Sequence, residues 1–136
     1  MRKVLLVIML LFTLPLTAYK PLKNIRFDGV QYLRNYDGDT VTVNIFDVHP
    51  LLGREIGIRL RNIDTPEIVD GKPEAMAAKI FLEAIMEKSK QIDLEECTRG
   101  KYFRIVCDVV VDGKNVSEMI IKAGHSKDFR IPEVKK

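Results

Sequence analysis

Asp37, Asp39, Asp64 and Glu67 all fall at turns or strand ends of this 136-residue chain, where a scaffold presents functional groups instead of burying them. Asp37 and Asp39 flank Gly38, and Asp64 and Glu67 flank Thr65-Pro66. Brought together they supply hard oxygen ligands suited to Ca²⁺ or Mg²⁺; zinc would want His or Cys. Either motif alone is ordinary turn chemistry. Arginines add to the pattern: Arg59 stands five residues before Asp64, and Arg104 closes Lys101-Tyr102-Phe103-Arg104. A guanidinium is a planar fork that matches phosphate oxygens, so arginines beside a carboxylate-bound cation make a phosphodiester site. His49 and His125 are single and have no Cys at zinc spacing, which fits structural or solvent-facing roles.

The elements that must position these groups are short. A first strand region runs from Asn24 to Tyr36, and Asp37-Gly38-Asp39 turns it into the alternating Thr40 to Ile45. In Ile56 to Ile63, residues Ile56, Ile58 and Leu60 share one face and Arg59 and Arg61 the other. Pro73 opens the strongest helix, to about Lys88, whose apolar side chains read as core. Gln91 to Glu96 and Tyr102 to Val111 form a hairpin about Arg99-Gly100. After the Asp112-Gly113 turn, a helix from Val116 to Ala123 is capped by Asn115 and stopped by Gly124. Five strands and two helices predict a mainly β, α+β fold. A five-stranded Greek-key barrel of the OB type suits that count, and an open sheet with one covered face fits nearly as well.

Composition leaves room for one domain. With 46% apolar and 30% charged residues, wholesale disorder and a multi-spanning membrane protein are both excluded. Met1-Arg2-Lys3 followed by the apolar run Val4 to Leu14 has a signal-peptide layout, shorter than the ~20 residues a membrane-spanning helix needs. Residues 1–18 are expected to be the leader, cut after Ala18, and 19–136 the folded domain. The alternative is an uncleaved membrane anchor. Export to the periplasm or medium implies an oxidising, calcium-containing compartment. If the hairpin pairs tightly about Arg99-Gly100, Cys97 faces Tyr102 and Cys107 lies too far along for a direct bridge. A disulfide then requires a wider loop or a bulge, and otherwise at least one buried thiol is expected.

The set Asp37-Gly38-Asp39-Thr40, Arg59 to Glu67, Lys101-Tyr102-Phe103-Arg104 and Asp112 to Glu118 resembles the staphylococcal nuclease-like family, the thermonucleases. The resemblance spans roughly residues 28 to 125, in the family's order. It implies an OB barrel with Ca²⁺-dependent hydrolysis of DNA and RNA to products ending in a 3′-phosphate. By that resemblance Asp39 and Asp64 are the calcium carboxylates, with the Thr65 carbonyl as a further ligand. Glu67 matches the general base proposed for water, and Arg59 and Arg104 match the arginines on the phosphate. Lys101 and Tyr102 match positions that contact another substrate phosphate. The chain departs from the family after Gly124-His125, where the family's final, third helix is expected to be missing and Arg130 and Pro132 fall near the positions of its C-terminal tyrosines.

The sequence therefore predicts an exported, monomeric, Ca²⁺-dependent nuclease for single-stranded or loosened DNA and RNA, with no stable protein partner. The rival is a non-catalytic nucleic-acid-binding OB module, which has no need of an acidic cluster facing phosphate. A third reading, an envelope-associated structural protein, leaves the acid and arginine spacing unexplained. The formal charge of +3 reflects 22 Lys and Arg against 19 Asp and Glu; without Arg2 and Lys3 the balance is 20 to 19. Bulk charge is too weak to hold a polyanion, so binding must rest on locally placed cations.

Overall fold

A computed structural model describes residues 23–127. The leader and everything from residue 128 on, including Arg130, Pro132 and any further helix, lie outside the described residues. The elements run β1 (Gln31–Asn35), β2 (Thr40–Asn44), α1 (Pro50–Gly53), β3 (Ile56–Leu60), α2 (Pro73–Lys88), β4 (Ile92–Arg99), β5 (Ile105–Val111), β6 (Lys114–Asn115) and α3 (Val116–Lys122). Single 3-10 turns occupy Ile68–Asp70 and Lys101–Phe103.

The fold is α+β and mainly β, as the sequence predicts, with one mixed sheet in the order β1-β2-β3-β5-β4 and β6 paired to β5. β3 and β5 are parallel and the other pairs antiparallel. The chain ahead of β1 returns to the far edge, because Phe27 and Leu94 exchange backbone hydrogen bonds of 2.9 and 2.8 Å and Val30 donates to Ile92 at 2.9 Å. That contact brings the two edges of the sheet together in the manner of an OB barrel. Strand alternation decides the interior: Val41, Val43, Ile58, Leu60, Leu94, Cys107 and Val109 point in and are fully buried or nearly so. Leu82 and Met86 of α2 and Val116 and Ile120 of α3 complete the core. Pro73 sits in the first turn of α2, and the Asn115 side chain accepts from the Glu118 amide at 3.3 Å to cap α3.

Two elements were not read from the sequence. β6 is two residues long and too short to carry a pattern, and α1 is a single turn whose Leu51 and Leu52 are exposed. Among the described residues the five-strand count is corrected to six, and the two helices to three.

The structure decides between the two cysteine alternatives. Cys97 and Cys107 form a disulfide, with Cα atoms 4.2 Å apart. Both conditions that tight pairing lacks are met. The turn is wide, since Arg99 pairs with Ile105 across residues 100–104, and the register slips between Glu95↔Asp108 and Thr98↔Val106. Two residues of β4 thus oppose one of β5, with Glu96 in the left-handed region at φ 49°, and this bulge sets Cys97 against Cys107.

Candidate active site

The site begins at the turn between β1 and β2. Asn35 is buried and donates from Nδ2 to the Asp37 carbonyl at 2.8 Å and to the Lys79 carbonyl of α2 at 3.1 Å, which ties the turn to the helix. Gly38 is required by close approach: a Cβ there would lie 2.6 Å from the Ala78 Cβ and 2.9 Å from Thr65 Oγ1. This contact lays Asp39 against Thr65 although 26 residues separate them.

Asp39 is 1% exposed and fully satisfied. Its Oδ2 accepts from the Thr65 amide at 2.8 Å and from Thr65 Oγ1 at 3.0 Å, and its Oδ1 accepts from Thr40 Oγ1 at 3.1 Å and from Arg59 Nη1. The other end of the same guanidinium, Nη2, donates to Asp64 Oδ1 at 2.5 Å. Arg59 reaches both because β3 pairs with β2 in a register that sets Arg59 opposite Thr40, next to Asp39, and because the chain after β3 turns back through Asp64. Asp64, exposed itself, is held by Ser126 beyond α3: the Ser126 hydroxyl accepts from its amide at 3.0 Å and donates to its carbonyl at 2.9 Å.

The electrostatics follow from this layout. Burial pushes the Asp39 carboxyl above its ordinary value and Asp37 adds to the effect, while the Thr65 hydrogen bonds and the Arg59 charge oppose it. Arg59 and Thr65 are what keep a charged carboxylate tenable at a buried position.

Of the residues singled out in the sequence, Asp39, Arg59, Asp64 and Thr65 form one bonded cluster. Glu67 lies two residues past Thr65 on the same segment, exposed, in extended backbone leading into the Ile68–Asp70 turn. Lys101, Tyr102 and Arg104 stand apart on the β4–β5 turn, all exposed. Strand pairing brings that turn alongside: β5 lies parallel to β3 with Ile105 beside Ile58 and Val106 beside Arg59, so Arg104 enters β5 next to the strand that carries Arg59. Arg61, on the same outward face as Arg59, is structural. It bonds the Glu96 carbonyl at the bulge, Thr98 Oγ1 at 3.2 Å and the Val106 carbonyl at 3.2 Å. The histidines are structural too: His49 Nδ1 accepts from the Leu51 amide at 3.2 Å, and the His125 ring lies 4.8 Å from Phe81.

Sequence reasoning missed the supports Asn35, Thr40 and Ser126. Each is a single polar residue whose partner is set only by the folded chain.

The donor set fits a hard dication. Asp39 and Asp64 converge on the two ends of one guanidinium, a +1 group placed between two carboxylates, and every nearby ligand atom is oxygen. Among the described residues no three or more His, Cys, Asp or Glu are grouped so as to hold a metal ion, and the oxygen donors at this cluster are the carboxylate pair and the Thr65 segment.

A search of curated proteins found no match to the chain. The model of the staphylococcal nuclease homologue family matches residues 57–136, which include Arg59, Asp64, Thr65, Glu67, Lys101, Tyr102 and Arg104. Asp39 precedes the matched segment and is joined to it by its bonds to Arg59 and Thr65. With more than half of its length matched, the chain belongs to the staphylococcal nuclease homologue family.

Proposed function

We propose that the chain is an exported, Ca²⁺-dependent nuclease that hydrolyses phosphodiester bonds of DNA and RNA with little sequence preference. The observation that carries this reading is the bridge of Arg59 between Asp39 and Asp64 beside Thr65, in a chain of a nuclease family. Asp39, Asp64 and the Thr65 carbonyl would hold the calcium, which when bound would supply positive charge to offset the carboxylate pair and the negative charge a phosphate gains.

Arg59, whose fork rests on Asp39 and Asp64, would turn donors to the phosphate oxygens, and Arg104 approaches from the neighbouring strand. Glu67 is exposed and extended, free to take the proton of a water attacking phosphorus while the ester bond on the far side breaks. Lys101 and Tyr102 hold a neighbouring phosphate. All of these groups come from one chain, so the proposed activity calls for no second copy. The Cys97–Cys107 disulfide supports export, because such bonds persist in oxidising compartments.

Digestion of heat-denatured DNA by the full chain, with Ca²⁺ and with a chelator, tests this. Chelator-sensitive cleavage is expected, with Glu67→Gln losing at least about a hundredfold in turnover while still binding DNA. Binding without cleavage under any calcium concentration would replace the enzyme with the non-catalytic OB module.

A further inference from the structure

Two phenylalanines left out of the core lie at the same end of the sheet, while the exposed Tyr36 lies at the other. β3 and β5 are parallel neighbours, so the segments leading into them, 45–55 and 100–104, emerge on the same side. Each carries an exposed phenylalanine with an arginine over its ring. Phe103 is 80% exposed with the Arg99 guanidinium 5.6 Å from the ring centre, and Phe46 is 55% exposed with Arg54 at 4.5 Å. Phe103 also holds φ 58°, in the left-handed region that a bulky residue avoids unless something retains it there.

The surroundings point to a polyanion with flat apolar groups. From Thr98 to Cys107, around Phe103, the chain carries Arg99, Lys101 and Arg104 and no carboxylate; the Phe46 segment carries Arg54 with Asp47 and Glu55, the latter paired with Arg34 at 3.4 Å. The same turn ends in Arg104, beside the strand of Arg59, so Phe103 adjoins in sequence a group proposed for the phosphate, and Phe46 lies on the segment that leads into the Arg59 strand. Unpaired nucleobases present open π-faces to such rings, whereas duplex bases are already stacked on one another. A guanidinium on one side of a ring leaves the other side open and adds attraction for the strand.

We propose that Phe103 and Phe46 are stacking platforms for unpaired bases of the strand being cut, and that they favour single strands over duplex. This rests on the nuclease reading for the identity of the polyanion.

The test is fluorescence anisotropy of a labelled twelve-nucleotide oligo-dT and of a duplex of equal length with the full chain in chelator, where calcium-dependent cleavage is silent. Phe103→Ala is expected to weaken oligo-dT binding about tenfold and the double change with Phe46→Ala further, Phe103→Trp to preserve it, and duplex binding to stay within about twofold. Both rings are exposed, and circular dichroism checks the fold of each variant. Parent protein that does not bind oligo-dT, ring-independent binding, or equal losses on duplex and single strand would overturn the proposal. Ring-dependent binding in a parent that never cleaves would remove the nuclease reading and leave the platforms; cleavage with ring-independent binding would do the reverse.

Discussion

The two halves of the candidate site are built differently. Asp39, Thr65 and Arg59 are locked by hydrogen bonds, with Asp39 buried and Asp64 pinned by Ser126. Lys101, Tyr102, Phe103 and Arg104 stand exposed on a turn held by its own backbone, with Gly100 donating to the Arg104 carbonyl at 2.7 Å and Arg104 to the Lys101 carbonyl at 3.2 Å. On the proposed reading the first half would serve folding and chemistry together, whereas the second would serve only the substrate and its reacting phosphate, with the disulfide and bulge at its base. A group needed for a buried charge cannot be altered for function without cost to the fold, whereas an exposed turn can.

Arginine substitutions break the comparison most sharply. Arg59→Ala should lower turnover about a thousandfold and cost about 3 kcal/mol of stability, because Asp39 is left buried without its charge partner. Arg104→Ala should lower turnover about a hundredfold and leave the Tm within about 1 °C. Turnover on heat-denatured DNA and thermal melts measure both. Pairing Arg59→Leu with Asp39→Asn should return much of the stability and none of the turnover, since removing both charges removes the desolvation cost. If Arg104→Ala melts as low as Arg59→Ala, the division between the two halves fails.

A smaller effect is expected from Cys97→Ser with Cys107→Ser. The bridge closes a loop with a sequence separation of 10, so its loss should cost about 2–3 kcal/mol in urea unfolding. Because Arg61 still binds the Glu96 carbonyl and Val106 at the bulge, the turn keeps its place and turnover per folded molecule should fall by less than about tenfold. A larger loss of turnover would mean that the disulfide, more than the Arg61 contacts, positions Arg104.

Much of this was legible in the residues. α2 is read correctly as Pro73–Lys88 because proline marks its start and apolar spacing marks its length, and the alternation in Thr40–Asn44 and Ile56–Leu60 gives the inward faces. The chemistry-bearing types at Asp39, Arg59, Asp64 and Thr65 were visible as well. Their mutual bonding was not, since it depends on Gly38 packing against Ala78 and on the β2–β3 register. The disulfide was hidden for a similar reason: a bulge at Glu96 shifts the pairing by one residue without leaving a mark on the alternating pattern. Ser126 acts on Asp64 across 62 residues, a distance at which no local pattern operates.

The most direct test of the account is the rate of cleavage of heat-denatured DNA by the parent and by Asp39→Asn across a calcium series, with the fold of the variant checked by circular dichroism. The account predicts cleavage by the parent that rises with calcium and vanishes in chelator, and a loss of at least about a hundredfold in Asp39→Asn at every calcium concentration. A folded Asp39→Asn that cleaves at the parent's rate, with the parent's calcium dependence, would contradict it.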